Sequence, residues 1–185
     1  MSHDLVDGLH TILQMYQDSF VAKVYGDEND DIDILMRIFN LTPALKRENR
    51  QYWGRELGMC WQLLVTRIFK DTRTDFASAL RFEKDEPCDF VFGQYAIDTK
   101  YRIGSGDSGT LKKFKTYGSL LKAQGYEPIL LVLREDNLPA AIRACEQGNW
   151  KVFTGDATFQ FILEHSGFDL QNYLNQKGGD YRVDR

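Results

Sequence analysis

The chain has 185 residues, 43% of them apolar and 13% aromatic, and carries a formal net charge of −4. That is the length of one ordinary domain with enough apolar content for a core. No apolar run approaches the roughly 18 residues that a membrane span requires, and the opening MSHDLVDGL lacks the basic start and apolar stretch of a signal peptide, so the protein is expected in the cytoplasm, away from membranes.

Residues 2–40 read as helix. Leu5, Leu9, Ile12, Leu13, Tyr16 and Phe20 repeat at helical spacing, and the repeat resumes at Ile34 after the acidic break DENDD (Asp27 to Asp31). Thr42-Pro43 is an N-cap followed by proline at the first helical position, the start of a long helix towards Phe69 with a wide apolar stripe. From about residue 75 the texture changes. FASALRFE is ambiguous, whereas Asp89 to Phe92 and Tyr95 to Tyr101 read as paired strands joined at Gly93-Gln94. GSGDSG (104–109) is a loop, and Thr110 opens a helix ending near Gly125. ILLVL, within 128–134, is a strand covered on both faces. Pro139 to Gly148 is a helix, Trp150 to Phe153 a strand, and Asp156 to His165 a helix. The final NQKGGDYRVDR has no periodic apolar face and is expected to fray.

This order predicts an α/β fold, a mixed sheet flanked by helices behind a helical N-terminal region. The expected organisation is one domain over 1–185, mainly helical over 1–74, an α/β core over 75–166, and a C-terminal tail over 167–185. Cys60, Cys88 and Cys145 are far apart and without CxxC spacing, and His3, His10 and His165 sit towards the ends. That pattern disfavours a zinc site or a Cys/His nucleophile and favours buried thiols.

Charge is unevenly spread. Pro43 to Arg73 and Lys100 to Lys122 carry +9 between them, and the remainder carries −13. Local basic surface inside an acidic protein suits a phosphate-binding groove, and equally suits two solvated helix faces.

The stretch DFVFGQYAIDTKY (89–101) puts charge into apolar strands. Residues two apart in a strand share a face, so Ala96, Asp98 and Lys100 point one way and Tyr95, Ile97, Thr99 and Tyr101 the other. A hairpin can bring Asp89 beside Asp98. Two carboxylates at the end of a sheet form an oxygen site for a hard divalent cation, and such an ion promotes phosphodiester hydrolysis. Lys100 would orient water or neutralise charge growing on phosphorus. The tripeptide Asp98-Thr99-Lys100 is weak by itself, because eleven lysines and the acidic fraction predict roughly 1.6 acid-x-Lys matches by chance. It fits an ordinary ion pair on a surface strand as well.

In this structural order, however, the chain resembles the PD-(D/E)xK nuclease superfamily over roughly residues 50–155. The matching positions are Asp89 in Glu86-Pro87-Cys88-Asp89, then Asp98 and Lys100, with Glu56 in GRELGMCWQLL as the acid from the preceding helix. Cys88 between Pro87 and Asp89 departs from the family pattern. Within the superfamily, KYRIGSGDSGTLKKFKTYGSLL (100–121) looks most like a type II restriction endonuclease of the ApaLI-like kind. The resemblance implies a restriction-endonuclease-like core, Asp89, Asp98 and the Thr99 carbonyl as metal ligands, and Mg2+ as the ion, with Mn2+ able to substitute. It also implies double-stranded DNA as the partner and a homodimer. Tyr101, Arg102, Ser105, Asp107, Ser108, Lys112, Lys113 and Lys115 would approach the DNA. An ion pair of Glu56 with Arg55 or Arg67 competes with its catalytic role. A structure-specific or repair nuclease, a non-catalytic DNA-binding module and a metal-free acid/base hydrolase remain alternatives.

Overall fold

The computed structural model describes residues 3–22, 26–82, 85–106 and 108–183. Its elements run α1 (His3–Ala22), α2 (Ile34–Phe39), α3 (Pro43–Glu48), α4 (Arg50–Thr72), β1 (Ala77–Ser78), β2 (Phe90–Phe92), β3 (Tyr95–Lys100), α5 (Ser108–Ala123), β4 (Glu127–Val132), α6 (Pro139–Gln147), β5 (Lys151–Thr154), α7 (Asp156–Ser166) and α8 (Leu170–Gln176).

The strands form one sheet in the order β1-β2-β3-β4-β5. β1, β2 and β3 are antiparallel, and β3, β4 and β5 are parallel. The change of direction follows from the connections. A two-residue turn at Gly93-Gln94 can only reverse the chain, and Gly93 sits at φ +50°, a conformation that glycine adopts without strain. α5 and α6 are the crossovers that parallel pairing demands. No helix of the described residues is long and apolar enough to cross a membrane.

Alternation along the strands builds two cores. On one face Phe90, Phe92, Ile97 and Leu131 pack against α4 and α7, where Trp61 is fully buried. On the other, Val91, Ala96, Leu130 and Val132 meet Phe114 and Leu121 of α5 and Cys145 of α6. α5 approaches its neighbours closely. A Cβ on Gly118 would lie 2.1 Å from the Gly148 carbonyl oxygen, and a Cβ on Gly148 would lie 2.5 Å from the Phe114 carbonyl oxygen. Trp150 Nε1 donates to that Phe114 carbonyl at 2.8 Å. These contacts fix α5 over the sheet.

Two expectations change. The long helix from Pro43 is interrupted at Asn49 (φ −151°, ψ 77°), whose side chain accepts from Tyr52 N at 3.0 Å and starts α4 afresh. The C-terminal segment is also docked rather than frayed as far as Val183; Asp184 and Arg185 lie outside the described residues. α8 buries Leu170 and Leu174, Gly179 N donates to Arg37 O, and Val183 N donates to Phe39 O. Hydrogen bonds to distant backbone, invisible to periodicity, hold this segment.

Candidate active site

Asp89 lies where the chain bends into β2, and Asp98 and Lys100 lie on β3. The hairpin pairs Phe90 with Ile97, Val91 with Ala96 and Phe92 with Tyr95. The ladder ends there, and Asp89 stands just before it, near enough for the Asp98 charge to act on its carboxyl. The Asp89 N–H donates to Ile97 O at 2.7 Å. Its carboxylate is held on both oxygens: Gln62 Nε2 of α4 donates to Oδ1 at 2.7 Å, and Thr99 donates to Oδ2 through N (2.8 Å) and Oγ1 (2.6 Å).

Despite those donors the Asp89 carboxyl is pushed up to about 6, first by burial and then by the Asp98 charge; Lys100 and Thr99 only partly compensate. Lys100 Nζ pairs with Asp98 Oδ2 at 2.6 Å and donates to Thr99 O at 3.1 Å. Burial by itself would lower the Lys100 ammonium, but Asp98 and Asp89 outweigh it and raise it above its ordinary value. Lys100 is therefore a cation rather than a neutral base. With its side chain 38% exposed it remains within reach of a ligand.

Asp98 and Lys100 open into a cavity of about 230 Å³ that Glu86, Lys113, Tyr117 and Trp150 also line. Asp89 opens into a second cavity, about 450 Å³, beside Gln62 and Arg81, and Glu86 borders both. The nearby thiols are poor nucleophiles. Burial pushes Cys88 up to about 11, and burial together with Asp98 pushes Cys145 up to about 12.

Residues 69–178 match the family model of the ApaLI-like restriction endonucleases. The chain belongs to that family. No curated protein and no solved structure matches it. Membership indicates a nuclease hydrolase acting on DNA, and restriction endonucleases generally use divalent metal ions.

The donor set fits such an ion. Among the described residues no three acids, cysteines or histidines come close enough to hold a metal by themselves. Asp89, Asp98 and the Thr99 carbonyl nevertheless supply hard oxygens, and magnesium ordinarily takes one or two carboxylates and fills its remaining positions with water and phosphate. The Lys100 ammonium already bridges two of those oxygens, which marks the place as one that attracts positive charge.

The other expected residues separate into groups. Glu56 does not reach the site. Its side chain is 46% exposed and pairs with Arg55 at 2.9 Å, so the α4 residue that touches Asp89 is Gln62. Tyr101 is also not at a surface. It is buried, donates to Asp33 and accepts from Lys46 Nζ at 2.6 Å. Arg102 is committed to the Gly26, Asp27 and Asp136 carbonyls and to the Asp136 carboxylate, so it is unavailable for a groove. Ser105 is half-buried in the loop before α5. Asp107 and the Ser108 side chain lie outside the described part of the structure. Lys112, Lys113 and Lys115 are exposed on α5, and Lys113 borders the cavity of Asp98 and Lys100.

Sequence reasoning missed a second charged cluster. Arg134, buried at the end of β4, pairs with Asp33 (2.9 Å) and Asp136 (2.7 Å). Lys46, also buried, pairs with Glu28. Burial pushes the Tyr101 hydroxyl far above its usual range, and Asp33 adds to the shift. The available signal was the Arg that ends the apolar run ILLVLR.

Proposed function

We propose that the protein is a type II, sequence-specific endonuclease that hydrolyses double-stranded DNA with Mg2+, Mn2+ being able to substitute. The observation that supports this most is Lys100 paired to Asp98 beside a cavity, with Asp89 before the neighbouring strand and near enough to feel the Asp98 charge. Asp89, Asp98 and the Thr99 carbonyl are the residues suited to hold the ion. When bound, the ion supplies a polarised water and offsets phosphate charge.

The chain's own groups do the rest. Gln62 and Thr99 fix the Asp89 carboxylate. Asp98 holds Lys100, whose ammonium orients the attacking water and compensates charge growing on the phosphoryl oxygens. Lys112, Lys113 and Lys115 neutralise neighbouring phosphates, positioning the duplex without reading it. A metal-free acid/base pair is the poorer reading, because restriction endonucleases generally use divalent metal ions. Reading a palindromic target would call for a two-fold dimer, each chain cutting one strand.

Plasmid DNA incubated with the protein and magnesium tests this. Discrete fragments are expected. A smear or junction-dependent cutting would indicate a repair or structure-specific nuclease, and intact DNA a binding module. Lys100→Ala should slow cleavage by about 10²- to 10⁴-fold while DNA binding persists; wild-type cleavage by that variant would remove Lys100 from the mechanism.

A further inference from the structure

The two cavities that meet at the site differ in character. The one that Asp98 and Lys100 share is walled largely by Pro87, Phe114, Tyr117 and Trp150. The one beside Asp89, about 450 Å³, is walled by Gln62, Ser78, Arg81 and Glu86, with only Ala79 and Cys88 as small apolar neighbours. Arg81 is the one cation among the residues that line it. A polar space with a guanidinium in its wall, next to a phosphodiester site, suits the charged backbone of a nucleic acid rather than a base.

Arg81 is held at this place by its neighbours in sequence. Leu80 and Phe82 pack against the core shared with α5 and α6, and Phe82 and Asp85 exchange two backbone hydrogen bonds of 2.9 Å. Between those anchors Arg81 is turned outwards, with its side chain 80% exposed. Its Nε donates to Glu86 Oε1 at 2.8 Å, and the Glu86 side chain is itself half exposed. An ion pair this open to water contributes little, so exchanging one oxyanion for another costs little. A phosphate offers two free oxygens that match the guanidinium fork.

Glu86 borders both cavities. Together with Asp89 it leaves the Arg81 side acidic in the free chain. A divalent ion held by Asp89 would reverse that sign, and Arg81 then faces a space that attracts anions.

We propose that this cavity seats a backbone phosphate next to the scissile one, with Arg81 as its charged partner, and that Glu86 holds Arg81 until the phosphate takes it over. The inference rests on the nuclease reading and adds to it a DNA contact on the side of Asp89 away from α5.

The test is binding of a short mixed-sequence duplex to the full chain, read by fluorescence anisotropy over a salt series with Mg2+ present. Arg81→Ala should weaken binding by about 3- to 10-fold and reduce the slope of log affinity against log salt by about one, whereas Arg81→Lys should keep the slope. Because Arg81 is exposed, urea unfolding of Arg81→Ala should match the wild type. Glu86→Gln frees Arg81 and removes a repelling charge, so it should tighten binding by at least about twofold. A merely structural ion pair would move neither the slope nor the affinity. An unchanged slope in Arg81→Ala, while the wild type binds DNA, overturns this proposal and leaves the nuclease reading standing. Tighter binding by Arg81→Ala would give the cavity to a second cation, and weaker binding by Glu86→Gln would set Glu86 to work for the ligand instead of against it; either overturns the proposal. A wild-type chain without affinity for the duplex overturns the proposal and the DNA reading together.

Discussion

Two clusters of charge meet at the C-terminal end of β3, one on each face of the sheet, because Lys100 and Tyr101 are successive residues of an extended chain. On the face towards α2, the Tyr101 hydroxyl joins Asp33, Arg134, Asp136, Lys46 and Glu28, while Arg102 pairs with Asp136 from the loop beyond. Three carboxylates there balance three cations. Asp33 also caps α2, so one carboxylate ties a helix start, a strand end and the 26–33 segment together. On the face towards α5, Lys100 pairs with Asp98 alone, and Asp89, held from the α4 side by Gln62, is raised to about 6. Balanced charge with every group bonded stabilises a fold. Unbalanced charge beside a cavity is what the proposed metal site requires.

The balanced cluster should therefore break structurally. Arg134→Ala leaves Asp33 and Asp136 without their buried cation and should cost about 3–5 kcal/mol, read by urea unfolding. A loss under about 1 kcal/mol would mean that this cluster is as expendable as a surface ion pair.

The unbalanced cluster should instead respond to pH through its ligand. Asp89 must be ionised to hold a cation, so Mg2+ or Mn2+ affinity, measured by calorimetry, should fall by about tenfold per pH unit below about 6 and level off above it. Affinity unchanged between pH 5 and 8 would separate Asp89 from metal binding. Smallest of all, Glu56→Ala should leave cleavage within a few-fold of wild type and stability within about 0.5 kcal/mol, since Glu56 meets only exposed Arg55. A large loss of cleavage would return Glu56 to the site.

The hairpin and its charges were legible because strand alternation is a short-range rule: Gly93-Gln94 forces reversal, and Asp98 and Lys100 share a face whatever the tertiary fold. The sequence leaves Glu56 open between a catalytic role and an ion pair with Arg55 or Arg67, because the α4 stripe is broad, and the structure shows the Arg55 pair. Counting about 100° per residue, Glu56 lies on one flank of Leu57, and Gln62 lies on the opposite flank of Trp61. Only the second flank faces β2. Tyr101 and Arg102 were drawn to the DNA by adjacency in sequence, whereas their partners Asp33, Gly26 and Asp136 come from segments far along the chain. No local pattern announces such pairs. The docking of α8 was hidden for the same reason.

Asp89→Asn tests the contrast most directly. Ionised Asp89 destabilises the folded chain, because its proton is held more tightly folded (about 6) than at the ordinary 3.8. Stability from this group is thus greatest at low pH, falls as pH rises through that window, and is lower by up to about 3 kcal/mol above it. The asparagine keeps its hydrogen bonds if the Gln62 amide turns over. At pH 8 without divalent ions, Asp89→Asn should be more stable than wild type by about 1–3 kcal/mol, should lose this advantage below about pH 4, and should not cleave DNA. A variant that is less stable than wild type at pH 8, or that still cuts at the wild-type rate, would contradict the assignment of Asp89 to a functional rather than a structural role.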